Sequence, residues 1–276
     1  MSSNRQNSIT AMSTLKKTIL VPTDFTQVAD YALQHAVRVS SVVHEQVTLL
    51  HIVDSPDKVA EAQIKIEQLA QETNTKYGVL PSTIARYGDI FVDIAKVAEE
   101  INSSMVIMGS HRIKDASTLN DSIALKVITS SKVPFITIQE PPINKRYDEI
   151  VFPVDFTAEN VEKHNWISYF CDYYVSRFHL IKPNITDPVL LAKIDMNMAS
   201  ARRYLDEKGA RYYVYTVMGK KPYAEEVLEM AANIRADLIV IMTSKVSNKA
   251  TYVVDPHEQY IISNASYIPV MSINPL

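Results

Sequence analysis

The 276-residue chain contains only five glycines, one cysteine and one tryptophan. The lone cysteine, Cys171, excludes an intrachain disulfide and any zinc site built on several cysteines, and it suits a reducing compartment. Seven histidines are present, at 35, 44, 51, 111, 164, 179 and 257, but none shows H-x-x-x-H or Cys-paired spacing, so no metal centre is expected. No apolar run reaches the roughly 18 residues of a membrane span. The opening MSSNRQNSIT lacks the apolar core of a signal peptide. A cytoplasmic protein is therefore expected. Neither G-x-x-x-x-G-K-[ST] nor G-x-S-x-G occurs, which removes the P-loop and the nucleophile elbow, and no catalytic residues are expected. With 47% apolar residues, 21% charged residues and a formal net charge of -3, the composition is that of a globular protein with no electrostatic pull toward nucleic acid.

What the chain does have is an internal echo. ILVPTDFT at 19–26 returns as IVFPVDFT at 150–157. Further landmarks pair at a spacing of 128 to 135 residues: His51 in LLHIVD with His179 in RFHLIKP, Gly88 with Gly219, Met108 with Met242, and Pro134 with Pro269. A spacing that long marks a duplicated domain, because solenoid repeats recur every few tens of residues. The polar segment 1–14 reads as a flexible leader. The proline pair in QEPPINKRYDE marks a seam, giving a first domain at 15–142 and a second at 143–276.

Each copy alternates apolar strands with amphipathic helices. In the first copy, TILVPTD, QVTLLHIV, STIARY, SMVIMG and PFITI read as strands, and the last helix is expected from about 120 to 130. In the second, EIVFPVD, SRFHLIK, RYYVYTV, DLIVIM and PVMSI do. Strands that are apolar on both faces imply parallel sheets covered by helices. The expected fold class is thus α/β, two tandem five-stranded parallel sheets of nucleotide-binding, Rossmann-like type with helices on both faces. Ligands of such sheets bind beyond the carboxyl ends of strands, where Asp24 and Asp155 fall.

The motifs ILVPTDF and IVFPVDF, LLHIVD, YGDIFVDIAKVAEEINSSMVIMGSH, SSKVPFITI and ASYIPVMSI, in this order and in duplicate, resemble the universal stress protein family in its tandem form. The resemblance implies domains that pair through their last strands. It also implies, in members that bind ATP, a loop of the form G-x-x-G, nine residues, then G-S or G-T, with an aspartate after the first strand facing adenine. Glycines in such a loop let backbone amides reach phosphate. Here GSHRIKDASTLNDSI keeps Gly109, Ser110 and Ser122 but places Arg112 and Asp121 at the other glycine positions, and fixed negative charge repels phosphate. The second copy aligns Thr243, Pro256 and His257 with the loop positions, and Pro256 has no amide proton to donate.

Asp24 and Asp155 stand where a ligand contact is implied, yet an aspartate between a strand and a helix equally fixes the turn. Both readings stand. Lys220, Lys221, Lys245 and Lys249 are candidate anion-attracting groups with a solvated surface as the simpler reading, and His51 and His179 read as hydrogen-bonded core residues. Tyr212, Tyr213 and Tyr215 read as packing the second core, with an interface, where tyrosine is enriched, as the alternative. The expectation is a stress-response binding and interaction module without catalysis, an internal pseudo-dimer with an unidentified protein partner or a further copy of itself, and no cofactor. The alternative is an ATP sensor or weak ATPase using the first domain through Asp24, Gly109, Ser110 and Ser122, with Asp155 the equivalent position of the second.

Overall fold

The computed structural model describes residues 17–110, 123–157, 163–245, 252–263 and 266–275, without the side chains of 123, 164 and 245. The expected leader lies outside these residues, as do Arg112, Asp121, Ser122 and Lys249. The first half runs β1 (Thr18–Pro22), α1 (Gln27–Val43), β2 (Gln46–Val53), α2 (Val59–Tyr77), β3 (Ser82–Tyr87), α3 (Ile90–Glu100), β4 (Ser103–Gly109), α4 (Ile123–Ile128) and β5 (Phe135–Ile138). Local chemistry sets these limits. Thr26 caps α1 by accepting from the Ala29 amide, and Gly78 ends α2 in the left-handed region at φ 70°, which glycine adopts without a Cβ penalty.

The second half repeats the plan through β6 (Glu149–Pro153), α5 (His164–Tyr173), β7 (Arg177–Lys182), α6 (Pro188–Glu207), β8 (Arg211–Thr216), α7 (Tyr223–Asn233), β9 (Leu238–Met242), α8 (Pro256–Ile262) and β12 (Val270–Ile273). Between β9 and α8 lies an unexpected hairpin, β10 (Ser244–Lys245) with β11 (Tyr252–Val253). The ten main strands form one sheet in the order β3-β2-β1-β4-β5-β12-β9-β6-β7-β8. Each half is wholly parallel, and the halves meet where β5 and β12 run antiparallel, Ile136 opposite Met271. Two cores follow. One is packed under α1, α2, α5 and α6, the other under α3, α4, α7 and α8.

The junction is clasped from both sides. Asn274, just past β12, donates to the carbonyls of Ile128 (2.6 Å) and Ser131 (2.5 Å) at the end of α4, and it accepts from the Thr243 hydroxyl. Gln139, just past β5, donates to the carbonyl of Ile262 at the end of α8 (3.2 Å). Each half thus caps a helix of the other, meeting carbonyls that a helix terminus leaves open.

Strand register corrects three of the expected pairings between copies, those of His51 with His179, Met108 with Met242 and the Gly109 position with Thr243. Pro22 lies opposite Leu50 and Pro153 opposite Ile181, so the counterpart of His51 is Lys182 and that of His179 is Thr48. Side chains alternate along a strand, so His51 and His179 project from opposite faces. Likewise the Ser110 amide donates to Ile138 and the Thr243 amide to Ile273, which makes Met242, rather than Thr243, the counterpart of Gly109.

Candidate functional site

Beyond β1 the chain turns sharply, and Asp24 holds the turn. Its Oδ1 accepts from the Thr26 amide (3.0 Å) and the Thr26 hydroxyl (2.6 Å) while the side chain stays exposed. Asp155 does the same with Thr157, at 2.8 and 2.5 Å. Because β4 is the parallel neighbour of β1, Gly109 and Ser110 share the carboxyl edge with Asp24. A Cβ at Gly109 would stand 2.7 Å from the Val28 carbonyl oxygen, so the glycine lets the first turn of α1 cross β4 at close range. Ser110 is buried, its amide donating to Ile138 at 2.8 Å. Ser122 falls outside the described residues.

The same edge of the second half is filled from within. Lys163 is 4% exposed, and its ammonium donates to the Pro153 carbonyl at the end of β6 (2.7 Å). Asn197, also buried, donates to the carbonyls of Asp155 and Thr157, both at 2.8 Å. The Tyr223 hydroxyl donates to the Ile181 carbonyl (2.6 Å). Burial holds the Lys163 amine below the ordinary lysine range, with Asp155 and Glu258 pulling the other way. Burial, then Asp255, pushes the Glu258 carboxyl up to about 8. A charged group removed from water is tolerated only with such partners.

Lys163 was not among the lysines singled out from sequence. Set in NVEKHNW, it reads as one more charge on a polar helix face, and only the tertiary structure turns it inward. Of the singled-out lysines, Lys221 is engaged elsewhere, while the Lys245 side chain and Lys249 lie outside the described residues. Lys221 pairs with Glu225 (3.0 Å) and Glu229, and the amides of Gly219 and Lys220 donate to the Glu226 carboxylate at 2.9 and 3.0 Å. The matching loop of the first half does likewise, the Asp89 amide donating to Asp93 (2.7 Å). Each loop after a third strand thus meets a carboxylate from its own helix.

The histidines are hydrogen-bonded in both copies. His179 meets Glu149 (2.7 Å) and the Tyr215 hydroxyl (3.2 Å) and stacks on Tyr213 and Tyr215, with ring centroids 5.4 and 5.8 Å away. Tyr213, expected in the second core, is instead half exposed on the edge strand β8. His51 bonds the Thr23 carbonyl through Nδ1 (2.7 Å) and lies against the Phe25 ring, 4.6 Å between centroids. Phe25 opens onto a cleft of about 260 Å³ between α1 and α2 that Asp24 does not line. Among the described residues no three His, Cys, Asp or Glu side chains gather as a metal site, and no helix is long and apolar enough to cross a membrane.

Residues 16–139 match the model of the universal stress protein family. A universal stress protein of Methanocaldococcus jannaschii is 28% identical over 158 residues, which are 46% of this chain and 98% of that one. A universal stress protein structure from Archaeoglobus fulgidus superposes with a TM-score of 0.72, covering 94% of this chain and 96% of that one at 17% identity. A putative universal stress protein from Pseudomonas aeruginosa gives a TM-score of 0.66, with 94% of each chain covered at 17% identity. These two establish a shared fold across both halves.

Proposed function

The chain belongs to the universal stress protein family through residues 16–139 and repeats that domain's fold in its second half, and on that footing we propose that it is a stress-response binding module that acts without catalysis. The second half serves as a structural partner with a self-filled edge. The first half carries whatever ligand contact the chain makes at a carboxyl edge.

The observation that carries this reading is Lys163. A buried ammonium bonded to the Pro153 carbonyl, with Asp155 and Glu258 as its acidic neighbours, fills from the chain itself the edge where a ligand would otherwise sit. Asn197 and Tyr223 occupy the neighbouring carbonyls. Asp24 and Asp155, spent in turn-fixing hydrogen bonds, lend themselves to architecture more than to acid–base work.

A second reading, an adenine nucleotide in the first half, has one observation in its favour: Asp24 is exposed, whereas the equivalent Asp155 is packed beside Lys163 and Tyr223. Calorimetry with ATP, ADP and AMP on nucleotide-free protein separates the two. The module reading expects no micromolar binding of any of the three, and heat with ATP that disappears in Asp24→Ala favours the second reading over it. Micromolar ATP binding that survives Asp24→Ala would overturn it. For partners, a further copy or an unidentified protein is expected on surfaces other than the closing strands, since those pair within the chain. Light scattering on the purified chain reports the first of these.

A further inference from the structure

The two PxDFT turns differ in one backbone angle. Both aspartates accept from the threonine two residues on, so the turn itself is common to the halves. Phe25, however, sits in the left-handed region at φ 64°, while Phe156 is not among the described non-glycine residues with positive φ and is 44% exposed. Holding a bulky residue there costs about 1–2 kcal/mol. Since the second half builds the turn without that cost, the strain does not belong to the turn. It belongs to where the ring goes.

The ring goes into the α1–α2 cleft. His51 backs it from the sheet side and is itself fixed on the Thr23 carbonyl. This support is absent from the second half, where Lys182 replaces His51. Buried Leu33 and half-buried Leu69 complete an apolar floor, and Asp30, Glu72 and Lys65 stand at the rim. The lining carries two carboxylates against one ammonium, with the Lys76 charge acting on Asp30 from outside the cleft. The outer face of Phe25 already attracts a cation, the Lys65 ammonium lying 4.0 Å from the ring centroid. At about 260 Å³ the cleft holds the volume of roughly nine waters at ~30 Å³ each, somewhat below the usual range for drug-sized ligands.

We propose that this cleft is a binding site for a small aromatic ammonium, its ring on the Phe25–Leu33–Leu69 floor and its cation between Asp30 and Glu72. Lys65 is then the resident cation that the ligand displaces from the Phe25 face. The site lies on the α1–α2 side of the first domain and is separate from the carboxyl-edge position of Asp24.

Phenethylamine, a single ring with one ammonium, is the probe, titrated into the full chain by calorimetry and by saturation-transfer NMR, with phenylacetate as the oppositely charged control. The expected result is saturable binding of the amine and at least about tenfold weaker binding of phenylacetate, the sign being set by the acidic rim. Glu72→Gln, a change on an exposed helix face, weakens the amine about fivefold, the size of one partly exposed charge contact. Lys65→Ala leaves binding unchanged or tightens it. Leu69→Trp, which fills the floor, abolishes it. Should the tryptophan variant fail to fold, the Glu72→Gln and Lys65→Ala pair still decides. No saturable binding of phenethylamine, equal binding of phenylacetate, or an affinity untouched by Glu72→Gln would each overturn the assignment.

Discussion

Lys163 shows how much one inward-turned side chain can settle. Lys163→Met keeps the apolar stem and removes the ammonium, which leaves the Pro153 carbonyl without its donor. An unsatisfied buried acceptor costs about 1–3 kcal/mol, and urea unfolding at pH 7 should show a loss of that size. The loss should be larger at pH 9 than at pH 6, because Glu258, raised to about 8, is protonated at pH 6 and needs no cation there. Glu258 also sets a slope of its own. Its folded value lies above the ordinary 4.5, so the folded state holds a proton that the unfolded state has released between those two values. The stability it contributes is present below 4.5 and is lost as pH rises through about 8. Glu258→Gln keeps an oxygen to accept from the Asp255 amide and should flatten that decline in a series of melting temperatures.

None of this was legible in the residues. A lysine next to a helix carries the same local signature whether it faces water or the core, and the difference lies in Asn197 and Tyr223, which arrive from α6 and α7. Asp24 was legible as to position, and so was its choice of roles. The double hydrogen bond from Thr26 engages its carboxylate in the turn.

For the elements, strand character was plain in the sequence. Runs such as LIVIM are apolar at every position, and β9 is buried on both faces. Register was less accessible, because an octapeptide match constrains one strand while small insertions shift the next. His51 and His179 carry the same name on neighbouring motifs, and only the pairing of β2 with β1 and of β7 with β6 shows that they face opposite ways. The clasp was equally out of reach, since it joins residues 123 and 146 positions apart. Asn274→Leu removes a buried amide and leaves the Ser131 carbonyl without its donor, while the Ile128 carbonyl keeps the Ser131 amide (3.4 Å) and the Thr243 hydroxyl keeps the Ile273 carbonyl (3.3 Å). We expect a loss of about 1–3 kcal/mol by chemical denaturation from the orphaned Ser131 carbonyl and the lost bonds to its neighbours. Gln139→Ala, with a single bond to Ile262, should cost about 1 kcal/mol.

Across the whole molecule, the segment that read as a linker is firmly held. His35 on α1 donates from Nε2 to the Glu140 carbonyl (3.1 Å) and accepts at Nδ1 from Arg38 (3.1 Å). Arg38 also donates to the Asn144 carbonyl (2.7 Å) and lies 4.3 Å over the buried Tyr147 ring. Asn144 continues to Asp237 (2.5 Å) in the second half. Burial, reinforced by the Arg38 charge, pulls His35 down to about 3. The unfolded chain takes up that proton near 6.5 and the folded chain does not, so stability is full above 6.5 and falls as pH drops toward 3. One proton linked in this way gives about 1.4 kcal/mol per pH unit within the window. Between pH 4.5 and 6.5 this slope opposes the one set by Glu258, so it is read as the difference in denaturation midpoint between the parent chain and His35→Gln, which should widen toward pH 6.5.

The antiparallel junction of β5 with β12 has one more consequence. Were the two halves separate identical chains, twofold symmetry would copy every substitution to both sides of the interface, and a plugging lysine in one edge would plug the other. Fused in one polypeptide, they are released from that rule. Lys163 can close one edge while Asp24 stays open, and Phe25 can be strained toward a cleft while Phe156 is not. The covalent link is what permits a pair of like domains to divide their labour.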